Sequence, residues 1–148
     1  EKPEDYNACE LMLYERAESL GKTIQNRYDI GYNTLDHEIP AGAFCDKISI
    51  VNFVFPEKVV KIGGDAFSGT LLSGALIIPD DVIEIGGDAF SGTSISTLTL
   101  PTNLKVIGGG AFGGCESLET IVFPNSLKEI GRSAFRGCKN VKEISKFS

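Results

Sequence analysis

From about residue 50 onward the chain alternates between polar or small and large apolar positions in four short runs, each closed by a proline. The runs are Asn52-Phe53-Val54-Phe55, Ala75-Leu76-Ile77-Ile78, Thr97-Leu98-Thr99-Leu100 and Thr120-Ile121-Val122-Phe123. A period of two predicts strands with one buried face. The larger members (Phe53 and Phe55, Leu76 and Ile78, Leu98 and Leu100, Ile121 and Phe123) are predicted to face a core. Proline then ends each strand, because it has no N–H to give to a ladder. Apolar residues three and six places past each proline also point inward: Val59 and Ile62, Val82 and Ile85, Leu104 and Ile107, Leu127 and Ile130.

These runs are parts of a longer repeat. Ala-Phe pairs begin at 43, 66, 89, 111 and 134, in steps of 23, 23, 22 and 23 residues. Pro56, Pro79, Pro101 and Pro124 keep the same beat. A period in the twenties over several copies predicts a solenoid, in which each coil buries its apolar side against its neighbours. Phe44, Phe67, Phe90, Phe112 and Phe135 are then expected to stack as a ladder. Gly63, Gly86, Gly108 and Gly131 are read as bends with positive φ, followed by short helical or irregular turns. The one-residue shortening between Phe90 and Pro101 is expected in a loop around Thr93–Ser96, since a slip within the strand would reverse its faces.

The two ends differ from the middle. Tyr6, Cys9, Leu13, Ala17 and Leu20 fall at steps of three and four, with Pro3, Glu4 and Asp5 at the start and Gly21 at the stop, which predicts a helix. Residues 1–28 are accordingly read as an N-terminal helical cap over the first coil, with a separate binding element through Leu11, Met12 and Tyr14 as the other reading. Residues 29–148 are read as the solenoid: a degenerate first coil over 29–51, about four repeats, and an open C-terminal end after a last strand at Glu143-Ile144-Ser145-Lys146. An uncovered apolar end is costly, so either the natural protein continues past Ser148, the favoured reading, or Lys146 and the terminal residues are all the cap it has. The chain starts at Glu1 without methionine, which suits a processed secreted protein or an excised piece; both readings stay open.

Composition narrows the classes. With 148 residues, 42% hydrophobic and 23% charged, the chain suits one folded domain. No apolar run approaches the roughly 18 residues of a membrane span, so membrane insertion is not expected. The net charge of −6 is unevenly spread: ten acids and five bases in 1–56, six and two in 57–100, four and seven in 101–148. Such a gradient along a rod admits weak end-to-end self-association. Nucleic acid is not an expected partner, because there is no domain-wide basic excess and the late bases are not interleaved with exposed aromatics. Cys9, Cys45, Cys115 and Cys138 form no CxxC pair, which argues against zinc. Cys115 and Cys138 share a repeat slot, about 5 Å apart, which permits a disulfide. Thr70 and Thr93 hold that slot in earlier coils, which favours free, small, buried groups. Cys9 with Cys45 is the other pairing left open.

The pattern Cys-x-x-Leu-x-x-Ile-x-Phe-Pro-x-x-Leu-x-x-Ile-Gly-x-x-Ala-Phe-x-x-Cys, from Cys115 to Cys138, closely resembles the BspA-like (Treponema-type) leucine-rich repeat family. The match is good over about 50–146, loose over 29–49 and absent from the first 28 residues. The departures are Thr at 70 and 93 and a blurred leucine slot at Leu72-Ser73. The resemblance implies a right-handed coil with a parallel β-sheet on the concave face and irregular or short helical turns opposite. It further implies secreted or surface-attached bacterial proteins that bind host or neighbouring-cell proteins.

Catalytic chemistry finds little support. His37 is the single histidine, flanked by Asp36 and Glu38, with no recognisable nucleophile elbow. The double-glycine turns lack the phosphate-loop pattern. Asp65 and Asp88 occupy equivalent slots, where calcium would relieve their repulsion, but the column continues as Gly110 and Ser133 without further acids. No cofactor and no metal are expected. The better candidate is the outward face of the strands: Asn52 and Val54, Ala75 and Ile77, Thr97 and Thr99, Thr120 and Val122, then Glu143 and Ser145. This stripe is nearly uncharged, as a protein-binding face would be, although strand propensity alone would favour the same residues. The expected function is protein binding or adhesion, with a structural spacer in a longer surface protein as the alternative and an enzyme the least supported class.

Overall fold

The computed structural model describes Glu15, 38–39, 41–48, 50–51, 53, 55 and 58–146. The expected cap over 1–28 (Glu15 apart), residues 29–37, 40 and 49 of the degenerate first coil with His37 among them, Cys9, Asn52 and Val54 lie outside the described residues. The strands are β1 (Glu38–Ile39), β2 (Lys61–Ile62), β3 (Ser73–Ile77), β4 (Glu84–Ile85), β5 (Ser94–Thr99), β6 (Val106–Ile107), β7 (Thr120–Phe123), β8 (Glu129–Ile130) and β9 (Glu143–Lys146). Among the described residues they make two parallel sheets, one of two-residue strands in the order β1-β2-β4-β6-β8 and one of longer strands in the order β3-β5-β7-β9. From β3 on, the chain visits the two sheets in turn, so each circuit adds one rung to both. That is a β-solenoid.

Register carries the core. Ile39, Ile62, Ile85, Ile107 and Ile130 align across the short strands, and Leu76, Leu98, Ile121 and Ile144 across the long ones. Between the sheets runs the phenylalanine ladder, with ring centroids 5.0, 5.4 and 5.3 Å apart from Phe67 to Phe90, Phe112 and Phe135, and planes within 7° of parallel. Phe44 joins it at 5.2 Å with a tilt of 31°, because Phe53 wedges against both Phe44 and Phe67. Phe44, Phe67, Phe90 and Phe112 are fully buried. Each such side chain is worth roughly 1.5–3 kcal/mol of burial.

The turns opposite the long strands are irregular rather than helical. Within each, successive β-turns close locally, as in Ala66 N–H to Gly63 C=O and Thr70 N–H to Phe67 C=O. Every second residue also donates to the next coil: Asp88 to Gly109, Phe90 to Ala111 and Gly92 to Gly113, at 2.8–3.0 Å. The turns thus form a third hydrogen-bonded ladder, which satisfies backbone groups that close packing removes from water.

Two expectations are corrected here. Gly63, Gly86, Gly108 and Gly131 do not have positive φ; that conformation belongs to the columns Gly42, Asp65, Asp88, Gly110, Ser133 and Asp46, Gly69, Gly92, Gly114, Gly137. The corner glycines are required by close approach instead, since a Cβ on Gly86 or Gly108 would lie 2.5 Å from the backbone nitrogen of Gly64 or Gly87 in the preceding coil. The shortened repeat is also not absorbed in a loop. Residues 94–96 belong to β5, and the β3–β5 register shifts between Gly74 and Ala75, with Gly74 at φ +78°. This irregularity at the strand start keeps Ile95 and Leu98 both buried, so the downstream faces are preserved.

At the last rung the columns become exposed. Ile130 is 50% and Ile144 63% accessible, where Ile107 and Ile121 are covered by a following coil.

Candidate functional site

The long-strand sheet gathers seven of the nine predicted site residues on one face. Ala75, Thr97, Thr120 and Glu143 are register partners in one column; Ile77, Thr99, Val122 and Ser145 form the next. At one strand spacing per rung, each column is roughly 14 Å long. The intervening residues Leu76, Leu98 and Ile121 are locked in the core, so the outer face cannot turn without breaking the ladder. Ala75, Ile77, Glu143 and Ser145 are exposed, while Thr97, Thr99, Thr120 and Val122 are half-buried between their neighbours. Ile77 stands out at 67% accessible. Beside it lies a shallow depression of about 200 Å³ lined by Phe53, Leu72, Ser73, Ala75, Leu76 and Ile77. Glu143 is the one charge in these two columns. The arrangement is a rigid strip of methyl and hydroxyl groups with an isoleucine at one end and a carboxylate at the other.

Pattern reasoning missed other exposed apolar residues: Ile48 and Leu71, one repeat apart, and Val60 and Ile83, likewise. These lie outside the alternating runs; the signal that could have found them is the repeat column, in which Lys105 and Lys128 follow Val60 and Ile83, and Ser94 follows Leu71.

Among the described residues no group of three or more His, Cys, Asp or Glu side chains could hold a metal ion. Asp65 and Asp88 are exposed and left-handed in backbone conformation. Cys45, Cys115 and Cys138 are free thiols. Cys115 donates to the Phe90 carbonyl at 3.3 Å and Cys138 to the Phe112 carbonyl at 3.1 Å, while Thr70 uses its hydroxyl on the Phe67 carbonyl at 2.9 Å. The slot takes a small hydrogen-bond donor; Thr at 70 and 93 and Cys at 115 and 138 show the size in the sequence, and the structure adds the bond. Burial pushes the Cys115 thiol up to about 11, with Thr93 opposing through a hydrogen bond. Such a thiol is a poor nucleophile. No helix among the described residues is long and apolar enough to cross a membrane.

Residues 37–148 match the family model described as BspA type leucine rich repeat region, in six copies. The chain belongs to the BspA-type leucine-rich repeat family. It is similar to the crystal structure of a T. pallidum leucine-rich repeat protein, TpLRR, with a TM-score of 0.61 and 31% identity over 73% of this chain and 62% of that one. The chain thus spans less than two thirds of the length of TpLRR. A leucine-rich repeat protein from Bacteroides ovatus ATCC 8483 aligns at a TM-score of 0.36 and 23% identity, over 72% of this chain and 45% of that one. No curated protein matches the chain. Leucine-rich repeats of this kind are typical protein-interaction scaffolds.

Proposed function

We propose that this BspA-type chain is a protein-binding module of a secreted or surface-attached bacterial protein, with residues 1–28 as a cap and 29–148 as the recognition body. The partner is a protein of a host or neighbouring cell, held on the outer face of the long-strand sheet. One observation carries the reading: Ala75, Ile77, Thr97, Thr99, Thr120 and Val122 form an in-register, uncharged strip on a sheet whose inner face is fixed in the core. A preordered surface of this kind loses little entropy on binding, and its apolar groups supply the contact energy. Asn52 and Val54 extend the strip by sequence position, and Glu143 closes it. Family membership supports the setting, since BspA-type repeat proteins are typically surface or secreted bacterial proteins.

The test is a paired substitution, Ile77→Glu with Val122→Lys, against a panel of immobilised extracellular matrix and cell-surface proteins. Wild-type chain is expected to capture at least one member, and the variant to lose it while keeping its melting temperature within a few degrees. Capture unchanged by the substitutions moves the site to the turns. No capture by wild type favours the spacer reading, in which the coils set a distance between other parts of a longer protein.

A further inference from the structure

Cys115 and Cys138 hold the same slot on consecutive coils, three residues past Phe112 and Phe135. Both are free thiols. Their main chains are fixed alike: the Cys115 N–H donates to the Phe112 carbonyl at 3.3 Å and the Cys138 N–H to the Phe135 carbonyl at 3.1 Å, so the two Cα–Cβ bonds leave equivalent turns. The phenylalanines ahead of them stack at 5.3 Å with planes 7° apart. The glycines directly before them bring the coils closer still, since a Cβ on Gly137 would lie 3.5 Å from the Gly114 Cα and nitrogen. A disulfide needs Cα atoms about 4.4–6.8 Å apart, which the spacing of one coil supplies.

Side chains in this slot also reach one another. The Thr93 hydroxyl and the Cys115 sulfur, one coil apart, are separated by 3.4 Å. Cys138 stands to Cys115 as Cys115 stands to Thr93, and its Sγ already turns back onto the coil of Cys115, donating to the Phe112 carbonyl at 3.1 Å. Closing an S–S bond requires Cys115 to release the Phe90 carbonyl, to which its Sγ donates at 3.3 Å, and Cys138 to release that of Phe112. Neither carbonyl is orphaned. Phe90 still accepts from the Thr93 N–H at 3.3 Å, and Phe112 from the Cys115 N–H. The Thr93 hydroxyl, losing its sulfur partner, has the arrangement of Thr70 open to it, whose hydroxyl donates to the carbonyl three residues back at 2.9 Å. Oxidation at this slot therefore strands no buried polar group.

We infer that Cys115 and Cys138 are a redox pair, free under reducing conditions and closed to an inter-coil disulfide by exchange with a small-molecule disulfide. One protein thiolate attacks a sulfur of the oxidised reagent, here glutathione disulfide, and expels a glutathione thiolate. The other attacks the mixed disulfide so formed and expels the second; one S–S bond is made in the protein, one is lost from the reagent, and the two thiol protons pass to the two glutathiones. Burial raises both protein thiols, so the exchange is slow near neutrality and quickens as pH rises. The bond ties the turn ahead of β7 to the turn ahead of β9.

The experiment incubates the folded full chain with glutathione disulfide, blocks the remaining thiols by alkylation and maps the tryptic peptides. Residues 106–128 and 137–139, which carry the two cysteines, are expected as one linked species that dithiothreitol separates. Oxidation is expected to raise the melting temperature by several degrees and to slow amide exchange in β9 about tenfold or more. Cys115→Thr, which copies Thr70 and Thr93, is expected to abolish both effects, and Cys45→Ser to leave both intact. The inference is overturned if Cys115 and Cys138 are still alkylated after oxidation of the folded chain, if glutathione remains on either of them, or if the linked chain melts no higher than the reduced one.

Discussion

At the scale of single residues, most of the stability argument rests on three columns. Phe90 stacks between Phe67 and Phe112 with both planes within 3° of its own. Truncating it removes two ring contacts and opens a cavity that the ladder cannot close. Phe90→Ala is expected to cost about 3–5 kcal/mol, read as a fall in melting temperature large enough to threaten folding. Gly108→Ala places a methyl against the Gly87 backbone. Because neither coil can move alone, the expected loss is about 1–3 kcal/mol, and Gly92→Ala, strained by its φ of +75° but with open space around it, serves as the comparison. Cys115 adds a pH signature. Its thiol, with an ordinary value of 9.0, is raised to about 11 by burial, so the folded state holds the proton more tightly than the unfolded state. Its stabilising effect is present in full below about pH 9 and is lost as pH rises from 9 to 11. Cys115→Thr, which copies Thr70 and Thr93, is expected to flatten that part of the melting-temperature profile relative to wild type. These columns also show what sequence can and cannot reveal. The phenylalanine spacing is legible because burial forces a chemically narrow choice at each repeat. The corner glycines are legible as glycines, but not the reason for them, since positive φ and backbone crowding select the same residue.

At the scale of elements, the long strands were readable and the short ones were not. Four-residue runs such as Thr97-Leu98-Thr99-Leu100 declare a period of two, whereas Glu84-Ile85 is too short to show any period and becomes a strand only because Lys61-Ile62 and Val106-Ile107 flank it. The same limit explains the register shift at Gly74 and Ala75: its cause lies in the spacing of Leu72, Ile95 and Leu118 within successive repeats, while its position depends on which bonds the neighbouring strands form. The candidate strip was legible as far as the alternation reached. The cross-coil ion pairs Lys61–Glu84, Lys139–Glu116 and Lys142–Glu119 required knowing which residues share a rung.

At the scale of the whole molecule, the solenoid links stability to position along its axis. Interior rungs are covered on both sides, whereas the rung carrying Ile130 and Ile144 is covered on one. In a nearly one-dimensional array, opening proceeds from the less covered end. Amide exchange is therefore expected to be fastest in β8 and β9, slower in β6 and β7, and slowest in β4 and β5; uniform protection across these strands would show that the coils open together. Fold class was legible at this scale because every coil repeats the same interior demand. The partner was not, because outward positions are free to vary from coil to coil and only their arrangement in space gives them meaning.

The ladder of turn hydrogen bonds, repeated from Asp88–Gly109 to Gly110–Arg132, has a consequence for how such a chain changes length. Each coil presents to the next the same donors and acceptors that it received from the one before. A whole unit can therefore be duplicated or excised and the cut faces will rejoin, whereas gain or loss of one residue must find a bulge to absorb it. The molecule's reach is adjustable in steps of one rung, about 4.8 Å each, without redesign of its interior.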